Sequence, residues 1–387
     1  MPNLAQQQLS EPPGLPSPSN RGNAFYRIAY LLLLLFVFLV AIKLLSGGIK
    51  MFGADTAKDL FNGVSNPFAA LAVGVLATVL VQSSSVTTST IVAMVGSGTM
   101  DVQAAVPMIM GANIGTTITN TLVSIGHVAR SGEFRRAFAA ATVHDFFNLI
   151  MVATFLPLEL STRFLSKTAH WLALRLPLGV GGKYESPIKA SVTWGSDLVK
   201  HFVTDTLGFQ GSFAASSVLL LGVVLVFFAL FAITKNMKQL IVNRVEKAMN
   251  AALGGIGVTA ILIGAVITMM VQSSSITTSL LVPMCGSGIL TLENAFPVML
   301  GANIGTTITA FIASLATDIN GLEIALVHVL FNLSGTILIF PVARLRAIPI
   351  RAARGLAVAA VRNKLWVLAY VGIIFIVVPL VGMLLFK

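Results

Sequence analysis

Four stretches of this chain, residues 60–100, 102–129, 251–292 and 294–317, contain no Asp, Glu, Lys or Arg. A helix crosses a bilayer with about 20 apolar residues, so 60–100 and 251–292 are each long enough for two helical arms. Polar residues interrupt the first of them (Asn62, Asn66, Gln82 and a Ser/Thr cluster), together with Pro67. That pattern reads as a re-entrant hairpin, two arms joined by a polar turn. The whole chain is only 10% charged and 56% apolar, against roughly 25% charged in a soluble domain. Collagen-like, disordered and disulfide-rich classes are excluded, and an integral membrane protein remains. The net charge of +11 then belongs to loops on one side of a bilayer and not to nucleic acid. The single cysteine, Cys285, allows no intrachain disulfide and reads as a small apolar residue.

The two uncharged hairpin stretches are copies of one another. Val81–Thr90 and Leu280's segment, 271–280, share eight of ten residues at an offset of 190 positions, both containing Gln-Ser-Ser-Ser. At the same offset, Pro107–Thr119 and Pro297–Thr309 share ten of thirteen, both containing Gly-Ala-Asn-Ile-Gly-Thr-Thr. A third pair, His144-Asp-Phe-Phe-Asn148 and His328-Val-Leu-Phe-Asn332, follows at an offset of 184. The chain is an internal duplication.

Basic clusters set the expected topology. Arg21 and Arg27; Arg130, Arg135 and Arg136; Lys235, Lys238, Arg244 and Lys247; and Arg344 through Lys364 all fall on the cytoplasmic side if each half makes three crossings and one hairpin. Those crossings are expected at about 27–46, 103–126, 137–158, 216–234, 294–315 and 322–343, with a last one at 365–386. An odd number per half inverts the second half relative to the first and faces the two copies toward each other near the midplane, as in many secondary transporters. The expected fold is therefore an all-α integral membrane protein of two inverted-topology repeats, each with transmembrane helices, a re-entrant helical hairpin and a broken helix. Its parts are a disordered cytoplasmic tail (1–26), repeat 1 (27–160), an extracytoplasmic loop (161–215), repeat 2 (216–346), and a cytoplasmic basic segment with the last transmembrane helix (347–387). The N-terminus is placed in the cytoplasm.

The motifs are chemically specific. Gln82-Ser-Ser-Ser and Gln272-Ser-Ser-Ser bring amides and hydroxyls to membrane depth, where polar groups must be satisfied internally. One isolated serine would read as a packing device, but a duplicated cluster reads as a binding site. In Gly111–Thr117 and Gly301–Thr307, each glycine weakens a helix by roughly 1 kcal/mol. Unwinding there would expose a half-helix N-terminus as an anion site. It would also free carbonyls that, with Asn113, Asn303 and the Thr-Thr hydroxyls, make an oxygen-only cation site. A glycine kink for packing is the other reading. The motif is not a nucleotide-binding loop, which needs four residues between its glycines and a Lys after the second; nothing points to an enzyme. Asp145 falls inside an expected crossing and is a functional candidate by default, its alternative being a pair with His144 or Arg136. His144 is a second candidate for coupling.

These segments, with Glu133-Phe-Arg-Arg-Ala-Phe and Thr142-Val-His-Asp-Phe-Phe-Asn148, resemble the type II sodium–phosphate cotransporter family over about 27–160 and 216–343. The resemblance implies Na⁺-driven uptake of inorganic phosphate through a lipid bilayer, Na⁺ being the co-transported ion. It implies phosphate at Gln82, Ser83, Ser84, Ser85, Gln272, Ser273, Ser274 and Ser275. It implies sodium near Asn113, Thr116, Thr117, Asn303, Thr306 and Thr307. Animal members carry a larger, cysteine-bearing extracellular loop; 160–215 has no cysteine, which points to a multi-pass protein of a bacterial inner membrane. A second copy, as a homodimer, is a further candidate partner. The rival class is a passive anion channel or a membrane-embedded interaction protein without sodium coupling.

The topology predicts that cysteines placed at 135 and 354 share one side and that one at 183 lies on the other. In a Cys285→Ser background, an impermeant thiol reagent applied to intact cells should label position 183 and spare 135; the reverse pattern contradicts the orientation.

Overall fold

The computed structural model describes residues 18–52, 66–176, 187–253 and 257–386, with side chains over 26–52, 66–176, 190–237 and 257–386. Among the described residues every regular element is a helix. The first half holds α1 (Pro18–Met51), α2 (Pro67–Val81), α3 (Ser84–Gly96), α4 (Val102–Gly115), α5 (Ile118–Ile125) and α6 (Ser131–Thr162). Two connecting helices follow, α7 (Phe164–Ala173) and α8 (Pro187–His201), the latter running into a π-helical turn at Phe202–Thr206. The second half holds α9 (Gly211–Leu253), α10 (Gly257–Val271), α11 (Ser274–Ser287), α12 (Leu292–Ser314), α13 (Ile319–Ile339) and α14 (Ala343–Arg362). The chain closes with α15 (Leu365–Gly372), a π-helical turn at Ile373–Val377 and α16 (Val378–Leu385).

Local chemistry sets several of these boundaries. Asn66 caps α2 by accepting from the Phe68 amide, with Pro67 in the first turn, where its missing N–H costs nothing. Asp318 caps α13 by accepting from the Asn320 and Gly321 amides. Among the described residues six helical segments are long and apolar enough to cross a membrane: Tyr26–Met51, Ser131–Thr162, Gly211–Met237, Leu292–Ser314, Ile319–Ile339 and Leu365–Leu385. The expected crossing at 103–126 is not among them, because the helix is interrupted between α4 and α5. The segment expected as a loop at 161–215 contains α7 and α8. Of the expected tail, residues 1–17 lie outside the described residues, as does Lys183, and α1 begins at Pro18.

The halves pack in matched pairs. α2 packs on α4 as α10 packs on α12; α3 packs on α13 as α11 packs on α6; and α1 packs on α9. The closest approaches of a glycine to a neighbouring backbone repeat at the 190-residue offset. A Cβ at Gly74 would run into the Met108 carbonyl and one at Gly111 into that of Leu71; Gly264 and Gly301 stand in the same relation to the Val298 and Ile261 carbonyls.

This packing corrects the expectation of unwound glycine motifs. α12 runs unbroken through Gly301–Thr307. In the first half the interruption falls after Gly115, at Thr116 (φ −58°, ψ −32°) and Thr117 (φ −85°, ψ −11°), both still in the right-handed region. The glycines are there because a neighbouring backbone lies where a side chain would stand. Polar side chains in the motifs bond back to their own helix: Thr116 to the Ala112 carbonyl at 2.8 Å and Thr306 to that of Ala302 at 2.9 Å.

Gly301→Ala should therefore cost about 1–3 kcal/mol of stability through overpacking, lowering the melting temperature of the purified protein. Gly355→Ala, whose added methyl meets nothing, should leave it unchanged or raise it.

Candidate functional site

Gln82 and Gln272 each end a helix in the left-handed conformation, at φ 56° and 57°. For a residue with a side chain such backbone costs on the order of 1–3 kcal/mol and persists only where the surroundings enforce it. Here each turn reverses the chain between two helices, α2 into α3 and α10 into α11. Ser83 (φ −149°, ψ 105°) and Ser273 (φ −153°, ψ 108°) are extended, and their hydroxyls cap the second helix by accepting from Val86 N at 3.3 Å and Ile276 N at 3.4 Å. Ser84 and Ser274 open the second helices and are buried. Their hydroxyls make no hydrogen bond among the described residues, and the first amides of a helix have no intrahelical acceptor. Each tip thus offers a buried hydroxyl and the positive end of a helix dipole.

The two tips touch. The Ser85 hydroxyl donates to the Gln272 carbonyl at 3.2 Å. Each glutamine is fixed the same way: its Nε2 donates to a carbonyl three residues back (Val79 or Met269, both 2.6 Å), and its Oε1 accepts from Thr119 at 3.2 Å or Thr309 at 2.8 Å. Thr278 and Ser279 of α11 donate to Asn120 Oδ1 of α5 at 2.8 and 3.3 Å.

A buried amide network lies between the halves. Asn303 accepts at Oδ1 from His144 Nε2 at 2.6 Å and donates to Asn148 Oδ1 at 2.8 Å. Asn148 in turn donates to the Asn113 carbonyl at 2.8 Å, and Asn332 to the Asn303 carbonyl at 3.4 Å. Asn113 itself donates to the Ile109 carbonyl at 2.9 Å. Thr117 and Thr307 donate to the carbonyls of Ile114 at 2.8 Å and Ile304 at 2.7 Å. A donating hydroxyl keeps lone pairs free to accept, so these threonines can still offer oxygen to a ligand.

Asp145 is wholly buried, but neither expected partner holds it. Its Oδ2 accepts from Tyr370 Oη at 2.8 Å, and its Oδ1 has no partner. Arg136 instead caps the C-terminal end of α11, donating to Gly286 O at 2.6–2.9 Å and Cys285 O at 3.2 Å. His144 points to Asn303. The reason is reach: nine residues place Arg136 more than two helical turns from Asp145, and adjacent helical residues do not face each other. Cys285 is free and buried, as expected. The helix N-termini, expected at the glycine motifs, stand at the serine turns. Sequence reasoning passed over Thr119, Thr309, Asn120, Asn148, Asn332 and Tyr370. The first two close the longest duplicated match, and Asn148 and Asn332 close the third, so the repeat itself marked them. Nothing in the sequence marked Tyr370.

The chain is similar to known proteins over most of its length. The chain matches the Na+/Pi-cotransporter family over residues 37–176 and 214–378. It is 33% identical over 445 residues to the human sodium-dependent phosphate transport protein 2B, covering 92% of this chain. It is 31% identical over 451 residues to the sheep sodium-dependent phosphate transport protein 2A, covering 97% of this chain. The chain spans 64% of the length of the human relative and 70% of the sheep one. No solved structure matches it.

Thr309→Val keeps the shape of the side chain and removes the donor to Gln272. It should cost about 1 kcal/mol in thermal unfolding of the purified protein, and Thr119→Val should cost less because Gln82 is exposed. Equal effects would mean that these bonds do not position the glutamines.

Proposed function

This chain belongs to the Na+/Pi-cotransporter family, and from the geometry of its paired serine turns we propose that it is a sodium-coupled secondary-active symporter of inorganic phosphate. One observation carries the reading: two equivalent helix N-termini meet, joined by Ser85 and Gln272, in segments without any Lys or Arg. A helix end supplies roughly half a positive charge, so two supply about one. Phosphate carries roughly one to two negative charges near neutral pH. The remainder must come from co-bound cations, and this is a physical reason for coupling: the anion binds well only when Na⁺ is present.

In this reading Gln82 with Ser83–Ser85 and Gln272 with Ser273–Ser275 hold phosphate, the buried Ser84 and Ser274 hydroxyls donating to it. Sodium is held by oxygens of Asn113, Thr116, Thr117, Asn303, Thr306 and Thr307. Asp145, whose Oδ1 is unpartnered, and His144, bonded to Asn303, serve coupling. The matched packing of the halves and the 190-residue offset support two inverted repeats, with α2–α3 and α10–α11 as re-entrant hairpins whose tips meet at mid-depth. Alternating access is then a rocking of the halves about the tips. The protein is a multi-pass membrane protein; the clustering of Lys and Arg favours an N-terminus in the cytoplasm, and the cysteine-free segment 160–215 favours a bacterial cell membrane.

The test is a two-dimensional titration of phosphate uptake against both ions, with surface expression checked. Ser84→Ala and Ser274→Ala each remove a hydrogen bond to a charged ligand, worth roughly 1.5–3 kcal/mol, so apparent phosphate affinity should fall about 10- to 150-fold. Asn113→Ala and Asn303→Ala should shift apparent Na⁺ affinity more than phosphate affinity at saturating Na⁺. Wild-type behaviour in all four would make the motifs packing devices.

A further inference from the structure

At the end of α11 away from its serine turn, a cavity of about 430 Å³ opens between α6, the α11–α12 connection and α14. Arg135, Arg136 and Arg354 line it against a single acid, Glu293. Arg136 is anchored on the Gly286 and Cys285 carbonyls, and Arg354 is held by Glu293 at 2.7 Å. Arg135 is exposed and makes no hydrogen bond or ion pair among the described residues. The cavity therefore holds an excess of two positive charges, with one guanidinium unclaimed. Apart from Thr291, its remaining walls are apolar, including Leu290, Leu292 and Val358.

α14 extends this chemistry along a surface. It carries Arg344, Arg346, Arg351, Arg354 and Arg362 and no acid. Pro349, Ile350, Ala353, Ala357 and Ala360 are its buried positions, and it packs on α6. A basic amphipathic helix flanking membrane-crossing helices lies at the headgroup level, and clusters of four to eight Lys or Arg on such a helix attract anionic lipid. The matching cavity of the other half, beside the α3–α4 connection, has a different balance. It is larger, about 570 Å³, and sets Arg163 and Lys167 against Asp101 and Glu323, the latter bonded to His170. Excess positive charge is therefore a property of one end only.

We propose that the cavity under Arg135, Arg136 and Arg354 binds the phosphate of an anionic phospholipid headgroup, with the lipid's acyl chains against the apolar wall. The ligand chemistry is a phosphate oxyanion. Of its two sources, a lipid fits better than free phosphate because the cavity adjoins a polybasic surface helix and has an apolar side. This inference does not depend on the transport reading.

The test is native mass spectrometry of the delipidated, full-length protein titrated with phosphatidylglycerol or phosphatidylcholine. Wild type should bind phosphatidylglycerol in preference. Each arginine removed should weaken binding about fivefold, so R135Q/R354Q should lose about 25-fold, while R163Q/K167Q at the other cavity should bind as wild type does. R135Q alone removes a side chain with no described partner and leaves the fold intact, so a fivefold loss is still readable if the double variant does not fold. Unchanged phosphatidylglycerol binding in R135Q, or equal binding of both lipids to wild type, overturns the proposal. Displacement of the lipid by millimolar inorganic phosphate, in wild type but not in R135Q, assigns the cavity to free phosphate and overturns the lipid source.

Discussion

Lipid offers no hydrogen bonds, so every polar group at membrane depth must find its partner inside the protein. The structure meets much of this demand with bonds inside helices and with one network between the halves. Thr116, Thr117, Thr306 and Thr307 bond back to their own helices. Asn113, His144, Asn148, Asn303 and Asn332 bond to one another and to a few carbonyls, with His144 Nδ1 and Asn332 Oδ1 left without a partner. Among the described residues the structure leaves unpartnered the Ser84 and Ser274 hydroxyls at the two helix starts, together with buried atoms such as Asp145 Oδ1, His144 Nδ1 and Asn332 Oδ1. The two helix starts, with their unpaired first amides, are where the proposed anion would be received.

The two halves agree closely at the turns and diverge around them. Gln82 and Gln272 share one unusual backbone conformation and one set of side-chain bonds. Yet the first glycine motif is followed by an interruption at Thr116–Thr117 while the second is continuous. Asn303 reaches across to His144, whereas Asn113 bonds to its own helix. Asp145 has Val329 as its counterpart at the 184-residue offset. A ligand in the proposed site between such halves would meet unlike surroundings on its two sides.

Much of this was legible in the residues. Charge-free stretches identified the membrane class, and the duplicated Gln-Ser-Ser-Ser located the turns that the structure places together. The glycines were harder: the same residues that would loosen a helix also let two helices meet backbone to backbone, and only the positions of Met108, Leu71, Val298 and Ile261 decide between these roles. Asp145 was recognisable as an intramembrane acid, but its partner Tyr370 is 225 residues away, on a helix with no counterpart in the repeat. Contacts set by the duplication could be read from it; contacts made by the added C-terminal helix could not.

The central claim is that dipoles alone cannot hold the anion and that sodium completes its site. The most direct measurement is equilibrium binding of radiolabelled phosphate to purified wild-type protein, with Na⁺ replaced stepwise by choline at constant ionic strength. The account predicts that phosphate affinity rises steeply with Na⁺ and is lost in choline. Binding that is indifferent to the exchange would contradict it.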